Sequence, residues 1–351
     1  MRDNFKILYN GRKAIAGLIK HKLTGKRIPV RVSLLVTKYC NLNCFYCYAK
    51  DTINSQGIRE PALKDLKDIV DQIYDAGCRW VGILGGEPLM RNDIGELVEY
   101  MRAKGIFMDI TTNGYFVKNK IQALKKIDHV CISLDGNKEA NDKSRGEGSF
   151  ERIIEGIECA VKNGIKARVH ATLCRRTMQA DSLKFLADFC NKHGLKMNYS
   201  ENGLPGIEKL DPDFLLSEKE LLDFYKSYRR LKKEGLPIVS SDVAVDYVAK
   251  WPLPLQTTIF KKDLPIVPKK SYYPCKLGRN QCFINSNGDV YPCTKKWGYG
   301  KNIYEVGFQK AWDYLGDLDC VACKELGTIE QSVIIGLNPK ALSNAIFNFA
   351  L

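Results

Sequence analysis

The chain is poor in histidine, with four in 351 residues, and no apolar run in it reaches the roughly 18 residues that mark a membrane span. The first scarcity leaves little room for a histidine-based metal centre. His21 and His129 are the nearest to the first cysteine group, and neither stands at a zinc spacing. The second argues against a transmembrane helix. No apolar stretch with a small-residue cleavage site follows Met1, so a secretory signal peptide is not expected. No RNA-binding module is recognisable, which leaves nucleic acid an unlikely partner. What remains has the composition of a soluble, cytoplasmic globular enzyme, 45% apolar and 27% charged. The length suits one large domain with a smaller one beside it.

Cysteine, by contrast, is abundant, with 13 residues. In a reducing compartment this number points to metal ligands or buried thiols rather than disulfides. Three of them form a C-x3-C-x2-C run, Cys40, Cys44 and Cys47, after the apolar stretch from Val30 to Thr37. Three thiolates hold three irons of a [4Fe–4S] cluster and leave the fourth iron open, whereas a cluster that only carries electrons takes four cysteines. Half of a structural zinc site is the alternative. It would use Cys44 and Cys47 as a pair and leave Cys40 without a role.

Further motifs follow in order: Tyr46 before the third cysteine, Gly85-Gly86-Glu87-Pro88 after the apolar run Trp80 to Leu84, Thr111-Thr112-Asn113-Gly114, Ser133-Leu134-Asp135-Gly136, and Arg145. Together with the cysteines these resemble the radical SAM superfamily, over roughly residues 30 to 325. The resemblance implies that S-adenosylmethionine (SAM) chelates the open iron. Its reductive cleavage would give a 5′-deoxyadenosyl radical that removes hydrogen from an unactivated C–H bond. The resemblance places Tyr46 near the adenine, the backbone of Gly85, Gly86, Glu87 and Pro88 at the methionine amino group, and Ser133 and Arg145 at the carboxylate. Thr112, Asn113 and Asp135 complete the cofactor-binding set that it implies. A low-potential donor such as flavodoxin or ferredoxin is the implied redox partner.

Strand-like runs near 31–37, 79–84, 106–111, 128–134, 165–173 and 195–200 alternate with helical patterns near 61–77, 91–104, 117–126, 149–163 and 179–193. Six such units predict an α/β fold with a parallel sheet, and the motifs at the C-terminal ends of the strands make it a partial (β/α)6 TIM-type barrel. The expected divisions are a basic amphipathic segment at 1–29, the barrel at 30–235, a connector at 236–274, a small cysteine-rich domain at 275–325 and an apolar C-terminal helix at 326–351. Ser217 and Glu220 read as a capping box that opens a charged helix ending about Lys233.

The cysteine-rich domain holds Cys275, Cys282, Cys293, Cys320 and Cys323, with a hairpin turn at Gly288. Two distant ligands with a C-x2-C pair suit a full iron–sulfur cluster and a zinc ion equally. The region is similar to the twitch form of the SPASM domain. That resemblance assigns Cys275, Cys293, Cys320 and Cys323 to one auxiliary [4Fe–4S] cluster, an electron acceptor for a net oxidation, and leaves Cys282 as an alternative ligand or a buried thiol. Of the other five cysteines, Cys78, Cys131, Cys159 and Cys190 read as core, while Cys174, after the fifth strand, is placed to face the barrel mouth.

Catalytic residues are not fixed by the motifs. The fifth strand sets Lys166, Arg168, His170 and Thr172 on one face and small apolar residues on the other. Arg168 and His170 are candidates if that polar face lines the barrel, and Tyr199, Glu201 and Asn202 are candidates from their place after the sixth strand. The net charge is +14, and residues 1–30 carry eight basic and one acidic residue. Ile15, Leu18 and Ile19 make an apolar face beside Arg12, Lys13, Lys20 and Lys22. This suits an anionic membrane surface, an acidic peptide or RNA, or a helix that packs on the barrel. The tail, with Leu342, Ile346 and Phe349 at helical spacing, is expected to pack on the protein. Together these features favour a lipid, isoprenoid or small-metabolite substrate, with a peptide-modifying maturase or an RNA-modifying enzyme as alternatives. A non-catalytic zinc or iron–sulfur protein is the reading from another class.

Overall fold

The structure is a computed structural model that describes residues 16, 19, 23–201, 216–253, 256–316 and 318–350. The side chain of Phe349, Asn202 and the basic helix residues Arg12, Lys13, Ile15, Leu18, Lys20 and Lys22 lie outside the described residues.

Six parallel strands pair in sequence order: β1 (Arg31–Leu35), β2 (Trp80–Leu84), β3 (Phe107–Thr112), β4 (His129–Ser133), β5 (Ala167–Leu173) and β6 (Lys196–Glu201). Sequential order is what separates a barrel from a doubly wound sheet. Right-handed crossovers taken always in one direction put every helix on the same face. Those helices are α1 (Leu63–Asp75), α2 (Ile94–Ala103), the short α3 (Ile121–Leu124), α4 (Lys138–Arg145), α5 (Ser149–Lys162) and α6 (Ala180–His193). Their apolar stripes follow helical spacing. In α1, Leu66, Ile69, Val70 and Ile73 are buried, and in α2, Ile94, Leu97, Val98 and Met101.

The stripes share one core with alternate strand residues, among them Val32, Leu34, Val81, Ile83, Ile110, Val130, Ile132, Val169 and Met197. With a side-chain period of two, the intervening residues point inward. Most of these are polar: Arg31, Ser33, Asp109, Thr111, His129, Ser133, Arg168, His170, Thr172, Asn198 and Ser200. The interior is therefore polar along its length, unlike the aliphatic layers of a closed barrel.

The lower end is sealed by charge and rings. Arg31 Nη2 lies 3.2 Å from Asp109 Oδ2, the Arg31 guanidinium sits 5.0 Å from the Trp80 ring centre, and Trp80 meets Phe107 edge-on. Trp80 Nε1 donates to Asp109. Gly82 leaves room for this arrangement, since a Cβ there would stand 2.4 Å from Arg31 Nη2.

After β6, α7 (Glu218–Lys233) begins with the expected capping box. Glu220 N–H donates to Ser217 Oγ at 3.2 Å and Ser217 N–H to Glu220 Oε2 at 2.8 Å. It packs on α8 (Asp242–Ala249). β7 (Thr258–Phe260) pairs antiparallel with β11 (Cys320–Cys323). Between them β8 (Gln281–Ile284), β9 (Asp289–Tyr291) and β10 (Lys301–Asn302) form an antiparallel meander followed by α9 (Ile303–Val306) and α10 (Phe308–Tyr314). β8 runs parallel to β1, with Arg31 opposite Gln281, so the meander extends the barrel sheet. Helix α11 (Leu326–Ile335) lies against β6 and hydrogen-bonds β8 through Gln331 and Gln281, at 2.5 Å. It thus links β6, one edge of the sheet, to β8 on the far side of β1. The tail helix α12 (Pro339–Ala350) packs on α8 and α11, with Ala341 buried and Ile346 exposed.

Candidate active site

The loop after β1 is fixed by backbone bonds. Gly86 N–H donates to Thr37 O at 2.9 Å and Glu87 N–H to Tyr39 O at 2.7 Å. A Cβ on Gly86 would stand 2.2 Å from Tyr39 O and 2.9 Å from Cys40 Cβ, so only glycine lets the two segments meet. Asn54, with φ at +56°, grips Cys40: its Oδ1 accepts from Cys40 N–H and its Nδ2 donates to Cys40 O, both at 3.1 Å. Arg91 ties the loop's root to Val36 O at 2.9 Å and Glu60 at 3.1 Å. None of Asn54, Glu60 and Arg91 was legible as a site residue, because each acts on the backbone of a distant segment.

The two other anchors are carboxylates. Glu87 is buried and fully used: Oε1 accepts from Leu89 N–H at 3.0 Å and Thr112 Oγ1 at 2.7 Å, and Oε2 accepts from Asn113 N–H at 2.7 Å. Burial pushes its pKa up to about 7, against the pull of those donors. Asp135 is wholly buried and accepts from Arg145 Nη2 at 3.1 Å, Thr172 N–H at 2.9 Å and Tyr46 Oη. The Arg145 guanidinium also lies 5.6 Å from the Tyr46 ring centre. Asp135 therefore joins the cysteine loop to the ends of β4, α4 and β5 from beneath. This corrects the expectation that it binds cofactor directly. Pro88 likewise starts the short 3-10 turn that Glu87 caps and is absent from the cavity wall.

These anchors surround a cavity of about 300 Å3 at the C-terminal ends of the strands. Its wall includes Cys40, Cys44, Tyr46, Cys47, Gly85, Gly86, Glu87, Thr112, Asn113, Ser133 and Arg145, with His170, Thr172, Ser200 and Glu201 opposite. Phe283, Thr294 and Glu325 of the C-terminal segment close it. Burial pushes the Cys40 and Cys44 thiols up, to about 12 and about 11, and Cys47 up as well. They bind metal only with loss of their protons. Three thiols with no fourth cysteine on the wall are a donor set that fits a cluster with one open iron. Among the described residues no three His, Cys, Asp or Glu converge as ligands of a single metal ion must.

The catalytic candidates separate. His170 lines the cavity, hydrogen-bonded to Ser200 Oγ at 2.5 Å. Burial, aided by Arg168, lowers its pKa to about 4. Glu201 lines it too and accepts from Tyr225 Oη at 2.7 Å; burial raises its pKa to about 7. Arg168 faces inward but lower down, 3.5 Å from His129 Nδ1 and beside the Arg31–Asp109 pair, outside this cavity. Tyr199 is a correction: it shares the parity of Met197, turns to the helices, and packs edge-on to Phe224 and Tyr228 of α7. Cys174 is another. It is fully buried, packed in one cluster with Tyr46 and Cys44 rather than open to the mouth.

In the C-terminal segment Cys275 N–H donates to Val321 O at 2.8 Å, which sets Cys275 beside the strand that carries Cys320 and Cys323. Burial pushes Cys275 up, and the neighbouring Cys323, Cys293 and Cys320 push it further. Cys293 and Cys323 rise likewise, to about 11 and about 12. Four thiols gathered in this way, with Cys293 one residue before Thr294 and Cys323 two before Glu325, fit a fully ligated cluster, and none of the four lines the cavity. Cys282 stands apart. It is opposite Val32 on β1, faces the helix side, and has Cys78 and Arg27 nearby. Lys295 and Glu325, between the two cysteine groups, were not singled out from the sequence.

Comparison with known proteins agrees with this geometry. Residues 34–190 match the radical SAM superfamily, and residues 275–315 match an iron–sulfur cluster-binding domain, SPASM. The chain is 28% identical over 316 residues to the mycofactocin maturase MftC of Mycolicibacterium smegmatis, covering 85% of this chain and 73% of that protein. It is 25% identical to an AdoMet-dependent heme synthase of Methanosarcina barkeri, covering 81% of this chain and 82% of the relative. Streptococcus suis SuiB, bound to its precursor peptide SuiA, shares the fold with a TM-score of 0.63 at 23% identity, over 87% of this chain and 69% of SuiB. No helix among the described residues is long and apolar enough to cross a membrane. The chain belongs to the radical SAM superfamily, as an enzyme that uses SAM, a [4Fe–4S] cluster and an auxiliary iron–sulfur centre in a C-terminal SPASM domain.

Proposed function

We propose that the enzyme oxidises a polar substrate, a side chain of a peptide, held between the two cysteine groups. The observation that carries this reading is the cavity itself. One wall is the cysteine loop, the other is the auxiliary segment, and His170, Ser200, Glu201 and Glu325 lie between. Half-buried carboxylates and a neutral imidazole suit a ligand with hydrogen-bonding groups and would be left poorly paired by a hydrocarbon chain. The similarity to a relative named a maturase adds support.

Cys40, Cys44 and Cys47 would hold the cluster, and Cys275, Cys293, Cys320 and Cys323 the auxiliary one. SAM bound there would supply the radical chemistry that removes hydrogen from the substrate. The chain's own residues supply position. Ser133 and Arg145 would hold the SAM carboxylate, the Gly85–Gly86 backbone its amino group, and Tyr46 its adenine. Glu201, steadied by Tyr225, holds or accepts a proton at Oε2 as the substrate is oxidised.

Anaerobic reconstitution, dithionite and SAM should give 5′-deoxyadenosine, and Cys44→Ala should give none. Cleavage unchanged in that variant would overturn the assignment of the cluster. With a short peptide encoded beside the gene as substrate, a loss of two hydrogens by mass spectrometry is expected. No mass change, with turnover of a lipid or isoprenoid instead, would return the reading to that substrate class. The lipid reading rests on the exposed Ile346 and on a basic segment that lies outside the described residues.

A further inference from the structure

Beside the auxiliary cysteines, and sharing no wall residue with the cavity, lies a groove of about 690 Å3 walled by Tyr247, Lys250, Lys270, Tyr273 and Lys340. It is built by α8, the start of α12 and the strap that joins β7 to Cys275. That strap reads Lys261-Lys-Asp-Leu-Pro-Ile-Val-Pro-Lys-Lys-Ser-Tyr-Tyr-Pro-Cys275. Lys262, Lys269 and Lys270 on it are exposed, as are Lys250 and Lys340 across the groove. Among the described residues none of these five forms an ion pair with a protein carboxylate. The one acidic residue of the groove, Asp246, is engaged by Arg229. On the strap Ile266 is 75% exposed and Leu264 38%, an apolar spot flanked in sequence by Lys262 on one side and Lys269 and Lys270 on the other.

The groove is also the short way to the auxiliary site. Tyr273 is two residues from Cys275, and its ring centre lies 5.6 Å from that of Tyr247. Tyr247 is 8% exposed and lies beside Cys323 and Cys275. The four cysteines themselves line no part of the substrate cavity.

We propose that this groove and strap are the docking surface for an acidic one-electron carrier protein, a flavodoxin or a ferredoxin, that exchanges electrons with the auxiliary centre. This rests on the oxidative reading above. When the substrate gives up one hydrogen atom and then one electron and one proton, the electron must leave, and the carrier's oxidised prosthetic group takes it. Lysines flanking a small apolar spot give the charge complementarity and the dry centre that such transient contacts use. A concave surface with Tyr273 exposed on its wall and the buried Tyr247 behind it fits a protein better than a lipid bilayer, which needs only a protruding basic and apolar face.

The test uses the full, reconstituted chain and purified flavodoxin. Binding is measured by calorimetry at low and high salt, with Lys262→Glu, Lys269→Glu, Lys270→Glu combined in one variant. Wild-type affinity should fall steeply with salt. The variant should bind at least about tenfold more weakly at low salt and lose most of the salt dependence. Its iron content and its dithionite-driven 5′-deoxyadenosine yield should match wild type, which shows that it is folded. A single Lys340→Glu variant should shift affinity in the same direction. Equal affinity in wild type and variants would overturn the proposal. So would a variant that binds flavodoxin normally but no longer sediments with phosphatidylglycerol vesicles, since the surface would then be a lipid contact. About four irons per chain instead of about eight would refute the auxiliary-cluster reading itself, and the binding titration would still decide the docking surface separately.

Discussion

Asp135→Asn tests whether the site is held together from beneath. The substitution preserves shape and removes the charge from a wholly buried side chain whose partner, Arg145, is 7% exposed. Arg145 Nε lies 3.0 Å from Asp135 Oδ2. Removing one partner of a buried pair strands the other charge and costs about 3–5 kcal/mol, a large share of the roughly 5–15 kcal/mol that holds a typical protein folded. The same substitution at Asp109 strands Arg31, where the two side chains are 7% and 10% exposed, and should cost a similar amount. The difference lies in function. Asp135 positions Tyr46, Arg145 and the end of β5, all around the cavity, whereas Asp109 seals the far end of the barrel. Asp135→Asn should therefore lower SAM cleavage about a hundredfold, as a displacement of about 1 Å in a positioning group does. Asp109→Asn should cleave SAM normally at a temperature where it is folded. Urea unfolding under anaerobic conditions gives the stability cost, and 5′-deoxyadenosine formation gives the activity. Two results would refute the reasoning: Asp135→Asn within about 1 kcal/mol of wild type with full cleavage, or an Asp109→Asn variant that is folded and equally inactive.

Cys282→Ser should keep about eight irons per chain, while Cys320→Ser should fall toward four; loss of iron from the first would show that Cys282 is a ligand. Glu201 gives a pH signature. Its folded pKa is raised to about 7 from an ordinary 4.5, so the folded state binds the extra proton and stability falls as pH rises between those values. Glu201→Gln keeps the acceptor for Tyr225 and should flatten that fall. Because Glu201 is partly open to the cavity, the gain at pH 8 is about 1–2 kcal/mol, readable as a higher Tm at pH 8 and no change at pH 4.

The strands and the first five long helices were legible because both of their periods are strong. Helix α4 was not. Lys138–Arg145 contains one apolar residue, Ala140, so no stripe marks it, although it carries Arg145. Its one local signal is the cap, where Asn137 Oδ1 accepts from Ala140 N–H at 3.0 Å. Cys282 illustrates a different limit. By spacing it is as good a ligand as Cys275, and only its position opposite Val32 turns it to the helix face. Register of that kind is set by a partner strand some 250 residues away in sequence.

The parity of β5 was readable as two faces, but which one looks inward was not, since a barrel normally keeps aliphatic residues inside. The polar choice has a physical reason in the structure. The sheet does not close on itself between β6 and β8. α11 spans that gap with Glu330 and Gln331, and Glu330 accepts from Ser241 N–H at 2.9 Å and Oγ at 2.8 Å. An interior bordered by a helix with polar groups, and opening upward onto a site for a charged sulfonium ligand, must satisfy hydrogen bonds all the way down. Arg31 with Asp109, Arg168 with His129, and His170 with Ser200 are successive layers of that one requirement. Tyr199 follows from the same parity. Once Asn198 and Ser200 face the polar interior, the tyrosine between them has only the aromatic core under α7 to enter.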